Sequence, residues 1–329
     1  MFKRPPFEIT TKILDYVQNI SLLLGSIKQN SFKINSDIKL RKSNSIKTIK
    51  SSMAIEGNSM SLEQVSAILN GQRVIAPKKD IIEVKNAIAT YETFDQLDPF
   101  KINDLLKAHN LMMADLTESP GNFRQNGVGV FKGNLIVHLA PPPSEVSGLI
   151  ADLFAFLKFS EDSLLIKSCV FHYEFEFIHP FSDGNGRIGR LWQQLILSKL
   201  HPAFKLLCVE ELLEKYQAEY YEALHKSDLA GSSESFIEFM LGMIFESLKN
   251  LRSVIKINSA DNFESRLSYA RNFLNHFKRA DYMQLIQEIS TATASRDLIS
   301  GVKNGILEKE DSGNQTKYFF RETTSSPEK

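Results

Sequence analysis

Apolar residues recur every three or four positions through most of this chain, and helix-breaking prolines and glycines are sparse between them. Between Ile13 and Leu24 this spacing places the apolar side chains on one face of a helix. The same spacing predicts further helices over residues 46–55, 62–69, 81–94, 102–113, 146–157, 164–178, 187–200, 216–224 and 236–248. The chain is therefore expected to be mainly α, with Ser61 as the N-cap of one helix.

The stretch from Gly121 to Pro143 departs from the helical pattern. Glycine, asparagine, valine and phenylalanine alternate there, and the consecutive prolines at 141–143 end the stretch. Alternation with a period of two is typical of a strand, so the pattern predicts a β-hairpin, or flap, inserted in the helical core.

The C-terminal part of the chain has a pattern of its own. After a polar stretch over 256–264, the sequence predicts a helix over 282–288, a turn and cap over 290–293, and a second helix over 295–304. A β-like run over 317–320 follows. This order resembles a winged-helix module and predicts a small C-terminal α+β domain.

The second helix of that module would be the recognition helix if the module bound DNA. It carries Arg296 and Lys303 but also Asp297, so the sequence predicts no strong phosphate-binding face. A protein-contact or scaffold role and a DNA-contact role both stay open.

The chain length, 329 residues, exceeds what one hydrophobic core usually organises. We expect an N-terminal helical region over 1–98, a helical core over 99–255 and the winged-helix-like domain over 256–325. The 39 basic residues balance 39 acidic ones, which argues against a protein that coats nucleic acid or an anionic membrane.

The two cysteines, Cys169 and Cys208, are too few for a disulfide framework or a four-thiolate zinc site in a chain of this length. The first residues are not followed by the apolar segment of a secretory leader, and no apolar stretch is long enough to span a bilayer. We therefore expect a cytoplasmic protein with no membrane partner.

The segment from His179 to Arg190 carries the strongest chemical signal. Pro180 and the glycines stop the incoming helix and force a tight loop, and Arg187 then opens the next helix. A helix N-terminus preceded by the Gly-Asn-Gly run at 184–186 presents unpaired backbone N–H groups, with the positive end of the helix dipole behind them. The segment therefore predicts an anion site.

The charged residues around this site suggest which anion it takes. Asp183 would repel a phosphate unless a divalent cation lay between them, so the pattern predicts Mg²⁺ held jointly by the protein and a nucleotide. Arg187 and Arg190 are three positions apart on one helix face and can clamp further phosphate oxygens. His179, at the other end of the loop, is placed to act as a base.

A second interpretation of the glycines is a dinucleotide-binding turn, because Gly184, Gly186 and Gly189 match G-x-G-x-x-G. The context disfavours it, since Pro180 and Asp183 stand where an apolar strand should end and parallel βαβ units are lacking. The remaining histidines are interpreted as structural: His109, His138, His172, His201, His225 and His276.

The twelve positions from His179 resemble, without departure, the signature loop of the Fic family, H-P-F-x-[DE]-G-N-G-R-x-x-R. Upstream, residues 52–57 are similar to the inhibitory motif [ST]-x-x-x-E-[GN] of Fic proteins with an N-terminal inhibitory helix. Residues 83–86, 121–124 and 220–224 also look like family sequence. The likeness covers residues 40–250, and a winged-helix-like tail is a recurrent partner of such cores.

The resemblance implies a protein adenylyltransferase that moves AMP from Mg-ATP to a Ser, Thr or Tyr hydroxyl of a target protein. His179 would be the general base and Asp183 would hold Mg²⁺. The flap, over 127–139, would add a strand to an extended target segment. The implied nucleotide contacts come from Gly184, Asn185, Gly186, Arg187, Arg190, Tyr220 and Tyr221.

The resemblance also implies self-inhibition, in which Glu56 pairs with Arg190 where a γ-phosphate oxygen would bind. Gln217 stands where family members often have Asn or Arg, so their ribose contacts are not carried over to this chain. Two alternatives stay open: a DNA-binding regulator whose core serves as a sensor, and a Fic enzyme that moves another phosphate-containing group or removes AMP. The sequence leaves the target protein and a homo-oligomer undecided.

Overall fold

The computed structural model describes residues 3–27, 34–132, 135–259, 263–286, 289–312 and 315–321. The described residues form two compact units. The first unit lies within residues 1–27 and 37–248, and the second within 28–36 and 249–329. The division into three regions at 98/99 and 255/256 stays a prediction.

Four helices come first along the chain: α1 Thr11–Ser26, α2 Ile34–Ile55, α3 Leu62–Leu69 and α4 Lys78–Glu92. The predicted cap at Ser61 is present, because its hydroxyl accepts from the Gln64 N–H while the Gln64 side chain accepts from the Ser61 N–H. Helix α2 starts well before the predicted residue 46, since residues 35–45 are mostly polar and hide the apolar stripe.

The flap follows α5 (Ile102–Met112) and is a hairpin of β1 (Gly129–Lys132) and β2 (Leu135–Leu139). The strands pair antiparallel, with Gly129 opposite Leu139 and a register shift in the middle of β1. The predicted hairpin inside a helical core is therefore confirmed, although its strands are shorter than the stretch that suggested it.

The core of the first unit is built around α7 (Leu164–Ile178), which packs against α6 (Pro143–Phe159) and α8 (Asn185–Leu200). Nearly every side of α7 is buried, including Phe171 and Phe175, which have no exposed surface. Apolar residues occur on all sides of such a helix because none of its sides faces solvent. The loop between α7 and α8 thus follows directly from a helix that is buried on nearly every side.

Three helices follow a short 3₁₀ turn: α9 Val209–Lys215, α10 Gln217–Ala230 and α11 Glu234–Ser259. The sequence predicted helices over 216–224 and 236–248, which correspond to α10 and α11, but it did not predict α9, which Tyr216 separates from α10. Seven residues are too few for α9 to show a periodic stripe. Among the described residues, no helix combines the length and hydropathy needed to cross a membrane.

The second unit contains α12 Phe263–Ala270, β3 His276–Phe277, α13 Arg279–Leu285, α14 Thr291–Lys303, β4 Leu307–Ser312 and β5 Gln315–Phe320. The strands form an antiparallel sheet in the order β3, β5, β4. Helix α14 begins four residues before the prediction, because the Ser290 hydroxyl accepts from the Thr293 N–H and makes the predicted turn the first turn of the helix.

Asp297 on α14 lies on the inner side of that helix. Only 3% of its surface is exposed, and its two oxygens accept from Arg266 at 2.6 Å each, while the Tyr282 hydroxyl donates at 3.1 Å. The hydrogen bond to Asp297 is the main cause that raises the pKa of Arg266. The carboxylate therefore does not offset Arg296 and Lys303, which are both exposed.

We predict that Asp297→Ala destabilises the second unit by about 3–5 kcal/mol, because it leaves a buried guanidinium without its counter-charge. Glu308→Ala, which breaks the surface pair with Arg321, should cost less than about 1 kcal/mol. Hydrogen exchange of the α14 amides in the full chain, followed over a urea series, measures both effects. Equal α14 protection in the two variants would contradict the role given to Asp297.

Candidate functional site

The loop between α7 and α8 is set by two left-handed residues and one side-chain bridge. His179 ends α7 with φ of 49°, and Gly184 precedes α8 with φ of 85°. The Asn185 amide accepts from the Phe181 N–H and donates to the Phe181 carbonyl, both at 2.9 Å. Helix α8 therefore begins at Asn185, two residues before the predicted start.

Phe181 anchors the loop in the core, with no exposed surface. Its ring stacks on His109 of α5 at 3.6 Å between ring centroids. His109 Nδ1 accepts from the Gly121 N–H at 2.8 Å, so Nε2 carries the proton and donates to the Asp183 carbonyl at 3.0 Å. Mainly because the ring is buried, the pKa of His109 is lowered to about 4.

Two glycines of the loop lie against side chains that would have to shift to make room for a Cβ. A Cβ at Gly184 would lie 2.6 Å from the Met113 sulfur, in addition to the strain of its positive φ. A Cβ at Gly186 would overlap the Glu56 carboxylate. Glu56 thus lies against the first turn of α8, where the sequence predicted an anion site.

Arg187 is buried and points its guanidinium at two carboxylates. Nη1 lies 3.3 Å from Glu83 of α4, and Nη2 lies 2.9 Å from Asp183. Its Nε is buried without a hydrogen-bond partner among the residues that the structure describes. Asp183 itself remains half exposed and also accepts from the Gly184 N–H. One predicted phosphate ligand and the predicted metal ligand therefore pair with each other here.

Arg190 is also buried, and its partners come from the end of α2. Its Nε and Nη2 donate to the Ser52 hydroxyl at 3.1 Å and carbonyl at 3.0 Å, and Nη2 lies 2.8 Å from Glu56 Oε1. Burial alone would lower the pKa of Arg190, but Glu56, Tyr220 and Glu176 together outweigh that cost, so the pKa is raised. The contact that the resemblance implied is present in this structure.

Residues 206–217 hold α2 along its length. The Gln217 amide donates to the Ile55 carbonyl at 2.9 Å, next to Glu56. Three further contacts follow toward the start of the helix: Asn44 with the Leu206 carbonyl, Lys47 with Glu211, and Lys50 with Glu214. In the sequence, Gln217 bears only on ribose contacts, and no local pattern indicates that it holds α2.

The two predicted adenine neighbours lie in different surroundings. Tyr220 is 2% exposed, and its hydroxyl lies 3.1 Å from His172 Nε2 within an aromatic core. Tyr221 is 48% exposed, and burial of its partly covered ring is the main cause that raises its pKa. A nucleotide contact by either residue stays a prediction.

Sequence reasoning missed Arg124 as part of the site. Its guanidinium is buried and donates to the carbonyl of His179 at 2.7 Å, and its backbone N–H donates to the Pro180 carbonyl at 2.9 Å. The sequence showed it only as the end of a Gly-Asn-Phe-Arg run. Nothing local to that run indicates which distant carbonyls it reaches.

Comparisons with known proteins agree with this geometry. A model described as the Fic/DOC family matches residues 99–197. A crystal structure of a Fic family protein from Desulfovibrio desulfuricans G20 aligns with a TM-score of 0.72 and 34% sequence identity, over 98% of this chain and 100% of that chain. The chain belongs to the Fic/DOC family. The loop between α7 and α8 is its Fic loop.

More distant relatives carry names that describe an activity. Protein adenylyltransferase fic-1 of Caenorhabditis elegans is 30% identical over 222 residues, and protein adenylyltransferase Fic of Culex quinquefasciatus is 28% identical over 209 residues. The chain spans about two fifths of the length of these curated relatives. A solved structure of Fic-1 from C. elegans shares the fold, with a TM-score of 0.58 at 20% identity over 75% of this chain and 73% of that chain.

The hydrogen bonds that hold the Fic loop should stabilise the fold less as the pH falls, because protonated His109 cannot accept from the Gly121 N–H. Its folded-state pKa of about 4 lies below the ordinary value of 6.5, so the unfolded chain binds more protons between these values and stability falls as pH drops through the window. His109 should contribute a loss of at most about 3 kcal/mol in the free energy of unfolding. Buried His172, whose pKa is lowered to about 3, causes a loss of stability over the same window and continues to do so below pH 4.

Urea unfolding of the parent and of His109→Gln, at several values of pH between 7 and 4, measures this contribution. The variant should be less stable at pH 7 and should lose less stability on acidification than the parent does. Parallel pH profiles for the two proteins would refute the role of His109.

Proposed function

We propose that this protein is an adenylyltransferase that transfers AMP from Mg-ATP to a Ser, Thr or Tyr hydroxyl of a target protein, and that Glu56 inhibits it. The observation that carries the proposal is the contact of the Glu56 carboxylate with Arg190 and with the first turn of α8. A carboxylate at that point occupies the kind of site a phosphate would take.

The triphosphate would bind at the start of α8. The Gly184, Asn185 and Gly186 backbone would cradle its phosphates, because a helix N-terminus offers free N–H groups and a positive dipole end. Arg187 would stabilise charge on the leaving phosphates, and Arg190 would meet the γ-phosphate. Tyr221 would border the adenine with its exposed ring.

His179 would supply the acid–base chemistry. It takes the proton of the target hydroxyl while the hydroxyl oxygen forms a bond to the α-phosphorus. The bond from the α-phosphorus to the oxygen bridging to the β-phosphate breaks, and pyrophosphate leaves with that electron pair. The target gains AMP, and the proton rests on the imidazole.

Asp183 would hold Mg²⁺ together with the nucleotide. In the described part of the chain no group of three or more His, Cys, Asp or Glu side chains could hold a metal unaided. A single half-exposed carboxylate fits Mg²⁺, which proteins usually bind through one or two carboxylates plus substrate phosphates. When bound, the ion would neutralise phosphate charge that Asp183 would otherwise repel.

The base is tested by His179→Ala, with exposed His225→Ala as the matched control. The first variant should lose at least about 100-fold in labelling, since general base catalysis contributes factors of this size, and should keep its affinity for ATP. Incubation with labelled ATP, Mg²⁺ and a lysate, followed by mass spectrometry, measures transfer and identifies the group moved. Full labelling by His179→Ala would overturn the mechanism, and a label other than AMP would favour another phosphate-containing group.

Self-inhibition is tested by Glu56→Gly, with Glu92→Gly at the exposed end of α4 as the control. If the closed state is favoured by about 100 to 1, or about 2.7 kcal/mol, releasing it should raise labelling by up to about 100-fold. Arg190→Ala should not reproduce the gain, because it removes the phosphate ligand as well. Equal labelling rates for the parent and Glu56→Gly at saturating Mg-ATP would contradict inhibition by Glu56.

A DNA-binding regulator is the second candidate, and the inward position of Asp297 favours it more than the sequence did. Without that carboxylate, the exposed stripe of α14 carries Arg296, Ile299 and Lys303. Binding of the full chain to duplex DNA that weakens steeply with salt, and weakens further in Arg296→Ala, would support this candidate.

A further inference from the structure

Arg124 lies between the Fic loop and the flap, with 3% of its surface exposed. Its side chain donates to four backbone carbonyls and so uses most of the five donors of a guanidinium. Nε donates to His179 at 2.7 Å, Nη1 to Asn126 at 2.9 Å, and Nη2 to Pro141 at 2.5 Å and Ile178 at 3.3 Å. In the described part of the chain it has no ion-pair partner within 4.0 Å, so carbonyl dipoles balance its charge.

Two of these carbonyls belong to the end of α7. The last carbonyls of a helix have no partner inside the helix, and a cation there also faces the negative end of the helix dipole. Arg124 satisfies the carbonyls of Ile178 and His179 together. Because His179 has a positive φ that is unfavourable for a residue other than glycine, it persists only where neighbours hold it.

The other two carbonyls flank the flap. Asn126 lies just before β1, and Pro141 lies just after β2. The two ends of the flap are also joined directly, because the Ala140 N–H donates to the Val128 carbonyl at 3.2 Å. One planar guanidinium thus holds the backbone of His179 and both ends of the flap in a fixed relation.

We propose that Arg124 is a positioning residue for AMP transfer, which sets the distance between the imidazole of His179 and a target segment lying on the flap. This inference rests on the proposed function, because it gives the flap a target and His179 a proton to remove. A displacement of about 1 Å between reacting groups can cost about 100-fold in rate. None of the four carbonyls that Arg124 contacts belongs to the predicted anion site on α8, so replacing Arg124 should leave that site intact.

The test compares Arg124→Gln and Arg124→Lys, each combined with Glu56→Gly, with exposed Arg73→Gln in the same background as the control. Self-labelling with labelled ATP gives the maximal rate and the half-saturating ATP concentration. Arg124→Gln should lower the maximal rate about 100-fold and leave half-saturation within about twofold. Arg124→Lys should recover part of the rate, because an ammonium keeps the charge but cannot reach all four carbonyls.

Hydrogen exchange without nucleotide provides a readout that needs no activity. Amides of β1, β2 and residues 178–181 should all exchange faster in Arg124→Gln, and those of α8 should not. If Arg124→Gln fails to fold, Arg124→Lys decides, because it retains a cation at the buried position. A maximal rate equal to that of the control, or faster exchange at the loop without the flap, would overturn the proposal.

The two proposals can fail separately. If neither Glu56→Gly nor the parent transfers any group from ATP, the proposed function fails, whereas the exchange measurement still reports whether Arg124 joins the loop to the flap. If Glu56→Gly is active and the Arg124 variants match the control in rate, only the positioning role fails.

Discussion

Arg190 lies on the second turn of α8 with 3% of its surface exposed, and a cation buried to this degree needs an anionic partner. In this structure the partner is Glu56, supported by the Ser52 hydroxyl and carbonyl. Because one guanidinium can pair with either this carboxylate or a phosphate oxygen, Arg190 holds Glu56 in this structure and, in the proposed function, would bind the nucleotide instead. The lack of a side chain at Gly186 and the proposed inhibition both depend on where this carboxylate lies.

The residues of the Fic loop could be predicted from sequence because their signals are local. A proline, three glycines and two arginines at helical spacing indicate a loop, a helix start and an anion site without any tertiary information. What fixes the loop is not local. His109 and Arg124 reach it from α5 and from the entry to the flap, and each acts on backbone carbonyls, which have the same chemistry at every position.

The mainly α fold class and the hairpin could also be predicted, since both are indicated by the spacing of apolar residues along the sequence. Apolar periodicity did not predict residues 35–45 of α2, because they are mostly polar, or α9, because it is short. At the edges of these stretches, Asn44 donates to the Leu206 carbonyl and Lys47 pairs with Glu211. The attachment of α2 was therefore hidden where apolar periodicity carries least information.

That attachment bears on how the proposed inhibition would be released. The ion pairs of Lys47 and Lys50 are partly exposed and each contributes less than about 1 kcal/mol, but Ile49 and Met53 are buried on the same helix. Detaching α2 would expose this apolar surface, whereas separating Glu56 from Arg190 requires only rotation of a side chain that is already 31% exposed. In the proposed inhibition, a triphosphate would compete with one carboxylate on a helix that stays in place. The free-energy difference between the closed and open states should therefore be about 2–3 kcal/mol, rather than the cost of unpacking a helix.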